Sequence, residues 1–280
     1  MPTFKAAAVE VGLSPAAFSE RIRRLEEGLG ASLLERSARK VALTRAGREL
    51  LPHALACLAA ARACQHTANK GAPSPVTLTL GTRHELGLSW LLPALDALQE
   101  ERPQRRIHLA FGNGPDLTNH LNDGQLDGVI SSVRMLVPGL EAVTLHPEEY
   151  AFVATPALLA TQPLDGPEDA RAHNLLDSNP TLPLFRYFHD AWPDAEAWRF
   201  GSCSCLGTIA AIRHRLLIGA GVAVLPRYFV APDLADGTLV EVLPRVQPFS
   251  DAFRLVWRRG HPESRELEVL GRELASFPLR

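Results

Sequence analysis

Residues 6–54 read AAAVEVGLSPAAFSERIRRLEEGLGASLLERSARKVALTRAGRELLPHA. A short Ala-rich helix is expected over Phe4 to Val11, then a turn at Gly12-Leu13-Ser14, then a second helix from Pro15 to Leu29. Ser14 is the natural N-cap, Pro15 tolerates the first helical position, and Gly30 supplies the left-handed stop. Two short helices cross closely only over small residues, which Ala7, Ala8 and Ala17 provide. Phe18, Ile22 and Leu25 fall at i, i+4 and i+7 and are expected to face inward. Ser14, Ala16, Ser19, Arg23 and Arg24 are then left outward, small at the front of the helix and basic behind. That arrangement suits insertion of the helix N-terminus into a DNA major groove. The competing reading is a solvated basic face on which Arg24 pairs with neighbouring glutamates. Arg36, Arg39 and Lys40 are expected to form a wing that grips phosphates or the minor groove, unless they are an ordinary charged loop.

Outward from this head (residues 1–43), Thr44 caps a long helix running to about Thr67. Its Leu51, Leu55 and Leu58 need a partner surface, so residues 44–70 are expected to dimerise. Cys57 and Cys64, seven apart on one helical face, read as packing residues. The segment Gly71-Ala72-Pro73-Ser74-Pro75 is a hinge, because its prolines cannot continue a helix.

Charge follows the same division. Residues 1–70 carry 11 Lys/Arg against 6 Glu, a balance of +5, whereas the remainder carries 18 basic against 25 acidic residues, or −7. A basic head on an acidic body fits a nucleic-acid-binding module joined to another function. The longest uncharged apolar run, Leu216 to Leu225, is half of what a membrane span needs. No signal-peptide pattern follows Lys5, so a cytoplasmic location with reduced thiols is expected and no membrane partner.

Residues 76–280 alternate short β-rich runs with helical segments: Val76 to Gly81, Leu88 to Glu101, Arg106 to Phe111, Leu117 to Asp123, and Gly128 to Ser131. A second set includes Tyr150 to Ala154, Leu175 to Asp177, a helix Gly207 to Gly219, and Val222 to Leu225. The chain returns through Ala252 to Arg258 and ends on a helix Glu263 to Phe277. This is the pattern of an α/β domain with largely parallel sheets. Two lobes are expected, one of residues 76–148 and 250–280 and the other of residues 149–249, with a ligand cleft between them.

With these motifs in place, the head resembles that of LysR-type transcriptional regulators. The resemblance rests on the Ser14-containing turn, the I-x-x-L-E-x-x-L-G-x-x-L run from Ile22 to Leu33, and Leu43-Thr44-x-Ala46-Gly47 at the entry to the long helix. It continues in Gly81, taken as opening the first effector-domain helix, in Gly124-x-x-Asp127, and in IGAGVAVLP from Ile218 to Pro226. The family implies an all-α winged helix-turn-helix, a linker helix and a two-lobed α/β effector domain like a type 2 periplasmic binding protein. It further implies a homodimer or tetramer on a partly palindromic double-stranded operator, controlled by a small-molecule effector, an organic anion among the candidates. Relatives also carry a further helix ahead of Thr3, where this sequence has Met1 and Pro2. A start site placed too late or a truncated chain is expected to account for that difference, ahead of a naturally shortened variant. Glu20 departs from the family as well, since a carboxylate near DNA repels phosphate unless it accepts from cytosine.

Effector candidates follow from strand ends. Thr82, Arg83 and His84 lie between the first strand and its helix, where backbone N–H groups favour an anion. Arg83 either holds an effector carboxylate bidentately or pairs with Glu85. Ser131 and Ser132 end a parallel strand on the crevice side, with Ser178 and Asn179 as weaker candidates in the other lobe. Cys203, Cys205 and Thr208 precede the second-lobe helix. A C-x-C pair alone lacks the four ligands of a closed zinc site, and its alternatives are packing, effector contact or a thiol made reactive by the helix N-terminus. No cofactor fingerprint or catalytic motif is visible. The alternatives to a regulator are a ligand-binding relative that has lost DNA binding and an enzyme on the same fold, for which His84, Glu85 and His120 are the only acid–base nominees.

Overall fold

A computed structural model describes residues 4–36, 41–68, 75–132, 139–192 and 197–279. The head contains α1 (Phe4–Glu10), α2 (Pro15–Leu29), and an antiparallel pair, β1 (Leu34–Arg36) with β2 (Val41–Leu43). The Ser14 hydroxyl accepts from Ala17 N at 3.2 Å, and Gly30 closes α2 with φ 66°. Ala8 is fully buried, and the Phe4 and Phe18 rings meet edge to face at 4.8 Å. Leu25, expected inward, is instead 47% exposed, because the apolar stripe of α2 is covered by α1 only towards its start. The long helix α3 (Arg45–Ala68) begins where Thr44 accepts from Gly47 N and donates to Ser32 O at 2.6 Å. Gly47 is required there, since a Cβ would lie 2.2 Å from the Leu33 carbonyl oxygen. On α3, Cys57 and Leu58 are exposed in the single chain, while the Cys64 side chain and residues 71–74 of the expected hinge lie outside the described residues.

Residues 75–259 and 265–280 form a separate compact unit. Its first sheet has the order β4-β3-β5-β12-β6, built from β3 (Val76–Thr82), β4 (Arg105–Phe111), β5 (Gly128–Ser131), β6 (Leu140–Glu148) and β12 (Asp251–Arg258). β3 runs parallel to β4 and β5, while β12 is antiparallel to both β5 and β6. The sheet is therefore mixed rather than largely parallel, because β12 re-enters from the opposite direction after the chain has visited the second sheet. Gly81, read from sequence as opening a helix, is buried inside β3. The helical path after β3 starts earlier than expected, as α4 (His84–Leu86), continues through a π-turn Gly87–Leu91, and proceeds as α5 (Leu92–Glu101). A Cβ on Gly87 would stand 2.3 Å from the Phe111 ring and 2.8 Å from the Thr82 methyl, so only glycine lets this turn lie against the sheet edge. Helix α6 (Gly114–Asn122) follows β4, and α11 (Ser264–Ser276) packs Leu267, Leu270 and Leu274 into the core.

The second sheet has the order β10-β7-β11, from β7 (Tyr150–Ala154), β10 (Ala223–Pro226) and β11 (Val240–Glu241). The parallel pair β8 (Asn174–Asp177) and β9 (Ser202–Cys205) extends it through a bridge between Leu175 and Val222. Helices α7 (Pro156–Thr161), α8 (Phe185–His189), α9 (Ile209–Leu217) and α10 (Arg227–Ala235) flank it. Phe152, Phe185, Phe188 and Trp198 form its aromatic core.

Candidate functional site

In the head, the outward residues of α2 are accessible, with Ser14, Ala16, Arg23 and Arg24 exposed and Ser19 half-buried. The basic pair is not free. Arg23 reaches Glu20 at 2.8 Å and also pairs with Glu27, and Arg24 reaches the same Glu20 oxygen at 2.9 Å. Hydrogen bonds from Arg23 and Arg24 hold the Glu20 carboxyl down to about 2, so it stays charged. The pairing of Arg24 with a glutamate, one of the two sequence readings, is therefore present. Arg36 ends β1, and its side chain, together with Arg39 and Lys40, lies outside the described residues.

In the other unit, the strand ends gather at one edge of the first sheet. Thr82 ends β3 beside Ile130, and Ser131 ends β5 opposite Arg254 of β12. Thr82, Ser131 and Ser132 are all buried. His84 is exposed, with its ring stacked on Phe111 at 5.2 Å. Arg83 pairs with neither a helix end nor Glu85. Its Nη2 donates to Glu148 Oε1 at 2.7 Å, and Glu148 accepts on Oε2 from the Tyr150 hydroxyl at 2.8 Å. Glu148 is completely buried, while the Arg83 side chain keeps 27% exposure.

Aromatic rings enclose this pair. Tyr150 stacks on Tyr187 at 3.8 Å, Arg83 lies 5.9 Å from the Phe253 ring, and Tyr228 meets Phe253 at 5.8 Å. Burial opposes the Arg83 charge, but Glu148 and the neighbouring phenols more than reverse that, and its pKa moves up. Burial and the Glu148 carboxylate push the Tyr150 hydroxyl up as well, so it remains a donor. Two hydroxyls, Thr82 Oγ1 and Tyr228 Oη, are buried with no hydrogen-bond partner among the described residues. Such orphans cost roughly 1–3 kcal/mol each unless something pairs with them. Glu148, Tyr150 and Tyr228 were absent from the sequence candidates. The only sequence signal for them was their position near the predicted crossings between lobes.

The second-lobe candidates are placed differently. Thr208 caps α9 by accepting from Ala211 N at 3.2 Å. Cys203 and Cys205 lie on β9 and are both exposed. Desolvation and then the adjoining Cys205 push the Cys203 thiol up to about 11, the direction opposite to the one a reactive thiol at a helix N-terminus, one of the sequence alternatives, requires. Ser178 sits beside Asp177, whose carboxylate accepts from the N–H groups of Ser178, Leu184 and Phe185 and so fixes the start of α8. Asn179 caps a turn at Thr181.

Two cavities lie elsewhere in the second lobe. One of about 620 Å³ is lined by Leu159, Trp192, Leu243 and Arg245 among others, and one of about 420 Å³ by Gln162, Arg171, His173 and Ser202 among others.

Comparison with known proteins bears on both units. Residues 2–48 match the bacterial regulatory helix-turn-helix protein, lysR family, and residues 73–277 match the LysR substrate binding domain. The HTH-type transcriptional regulator AbaB of Streptomyces antibioticus is 31% identical over 268 residues, 92% of this chain and 87% of that protein. The crystal structure of ArgP from Mycobacterium tuberculosis superposes with a TM-score of 0.76 at 20% identity, over 99% of this chain and 93% of that one. Full-length LysG from Corynebacterium glutamicum with bound effector Arg gives 0.68 at 22% identity, over 98% and 92%. With a helix-turn-helix head matched to one family model and most of the remaining chain to the other, this chain belongs to the LysR family of DNA-binding, effector-controlled transcriptional regulators.

Proposed function

We propose that the effector is a small monocarboxylate or zwitterion that docks on the free edge of Arg83. The observation that carries this reading is the hydrogen bonding of the guanidinium. Glu148 takes only Nη2, while Nε and Nη1 have no partner among the described residues. A planar carboxylate matches such an edge. Thr82 Oγ1 and Tyr228 Oη stand by as unpaired buried hydroxyls, with Ser131, Ser132 and His84 on the same sheet edge. Because Glu148 already neutralises Arg83, each added carboxylate leaves one net negative charge beside a buried carboxylate, so a zwitterion is disfavoured least and a dicarboxylate most. Cys203, Cys205 and Thr208 are second-lobe candidates for the remainder of the ligand.

On the DNA side, Ser14, Ala16, Ser19, Arg23 and Arg24 read the major groove, and Arg36, Arg39 and Lys40 contact the backbone or minor groove. The dimer forms through α3, whose Leu58 is 55% exposed, and places two heads on a partly palindromic operator. A cytoplasmic location follows from the DNA-binding role, and no helix among the described residues is long and apolar enough to cross a membrane. The family is one of transcriptional regulators, which are not enzymes, and no reaction is assigned to the cleft.

The test is thermal and calorimetric titration with monocarboxylates, dicarboxylates, amino acids and neutral amides. A true effector at 100 times its Kd stabilises by about 2.7 kcal/mol. Arg83→Met should abolish the response to a carboxylate. A ligand that shifts wild type and Arg83→Met equally would overturn the assignment.

A further inference from the structure

Strand β9 reads Ser202-Cys203-Ser204-Cys205 and, among the described residues, is an edge strand paired only to β8. Its side chains alternate. The Ser202 hydroxyl donates to Asn174 Oδ1 at 2.9 Å, and the Asn174 amide donates to Ser204 Oγ at 3.1 Å, which fixes the serines on one face. Cys203 and Cys205 therefore share the opposite face, both exposed.

The spacing decides what chemistry such a pair supports. Residues two apart on a strand have Cα atoms roughly 6.4–6.8 Å apart and Cβ atoms at a comparable separation. A disulfide needs Cβ atoms within about 3.5–4.5 Å, so direct S–S bonding would bend β9 out of its pairing with β8. An ion placed between the sulfurs relieves the geometric conflict, because two metal–sulfur bonds of about 2.3 Å span about 4.6 Å. Zinc would require further ligands, and no group of three or more His, Cys, Asp or Glu side chains suited to a metal occurs among the described residues. Two thiolates and nothing else suit a soft ion of low coordination number.

We propose that Cys203 and Cys205 form a dithiol site for a thiophilic two-coordinate ion of the Cu(I) class. On binding, each S–H gives its proton to solvent, two S–Cu bonds form, and copper remains Cu(I). The site lies one turn ahead of α9, on the strand that carries the second-lobe candidates, and its ligand is chemically unrelated to the carboxylate assigned to Arg83.

The experiment uses the full chain carrying Cys57→Ser and Cys64→Ser, so that only the pair can respond. Cu(I) is supplied anaerobically as its acetonitrile complex against a bathocuproine chelator, with native mass spectrometry for stoichiometry. One ion per chain is expected, and adding either Cys203→Ser or Cys205→Ser should weaken retention by at least about tenfold. Both positions are exposed, so the variants should keep the wild-type circular dichroism. Three results would each overturn the site: no retained copper while both thiols titrate as free, undiminished affinity in either serine variant, or one ion for every two chains.

Discussion

Arg83 and Glu148 lie 65 residues apart in sequence and meet at 2.7 Å, with Glu148 also holding the Tyr150 hydroxyl. The carboxylate is buried without access to water, so its charge is tolerable only because both oxygens are occupied. A single residue, Glu149, separates Glu148 at the end of β6 from Tyr150 at the start of β7. The ion pair thus sits at a crossing between the two sheets.

Replacing Glu148 by Gln should strand the Arg83 cation and lower stability by about 3 kcal/mol, since breaking one side of a buried pair costs more than removing both. Arg83→Met in the Glu148→Gln background should recover much of that loss. Urea unfolding of the four proteins closes the cycle. A cost for the double variant equal to the two single costs together would show that the residues do not couple.

Arg105 is a buried cation, at 1% exposure, held by Glu266 at 2.7 Å and by Glu273. It ties β4 to α11. Burial raises the Glu273 carboxyl, but hydrogen bonds from Arg105 and Arg102 outweigh it and the net shift is down. A depressed carboxyl contributes stability above the ordinary Glu range and loses it as the pH falls through the lowered value. Arg105→Met should therefore cost about 3–5 kcal/mol at neutral pH and noticeably less at pH 3, as chemical denaturation at the two pH values would reveal.

Asp177 has the opposite sign. Burial raises its pKa despite three backbone donors, so the folded state takes up a proton more readily than the unfolded chain. Its contribution must fall as the pH rises from the ordinary Asp value through the raised one. Asp177→Asn keeps an acceptor for Phe185 N and should flatten that slope, whereas Asp177→Ala should cost about 1 kcal/mol through loss of the cap. An unchanged pH slope in the Asn variant would refute this account.

In the head, Glu20 ties up both Arg23 and Arg24. Glu20→Gln should tighten binding to random DNA, with each arginine that reaches a phosphate adding about 0.9 to the slope of log K on log salt. Arg23→Ala should lower the slope by about 1 if that residue contacts phosphate. Fluorescence anisotropy across a salt series reads both. Glu20→Gln having no effect would mean that neither arginine faces DNA.

Gly47→Ala places a methyl against the Leu33 carbonyl oxygen, where a Cβ would stand at 2.2 Å. The junction between wing and linker helix should open, seen as faster amide exchange at Thr44 to Arg48 and as weakened DNA binding. An Ala variant with unaltered exchange would argue that α3 can begin one turn later at no cost.

Much of the fold was legible because local signals and final structure agree. α2 occupies the range set by Ser14, Pro15 and Gly30, and β5 and β7 fall where continuous apolar runs placed them. What was missed lacked such signals. β9 is built of Ser and Cys, which have no marked strand preference, and β6 ends in His146-Pro147-Glu148, which reads as a break. The start of the helical path at His84 was hidden by Gly87, whose role is close approach to Phe111 rather than helix ending. The site was half legible. Strand ends pointed to Thr82, Arg83 and Ser131, but no periodicity can announce that Glu148 will find Arg83 across the sheet edge.

The joint at Glu149 has a mechanical consequence. Where the second crossing spends residues 242–250 between its strands, this one spends a single residue, with the Glu149 carbonyl already tied to Arg227 N at 2.8 Å. A link so short has almost no slack for extension and yields mainly by torsion about its own φ and ψ. A rotation of one sheet against the other would therefore be taken up as a twist at Glu149, with the longer strap accommodating the difference.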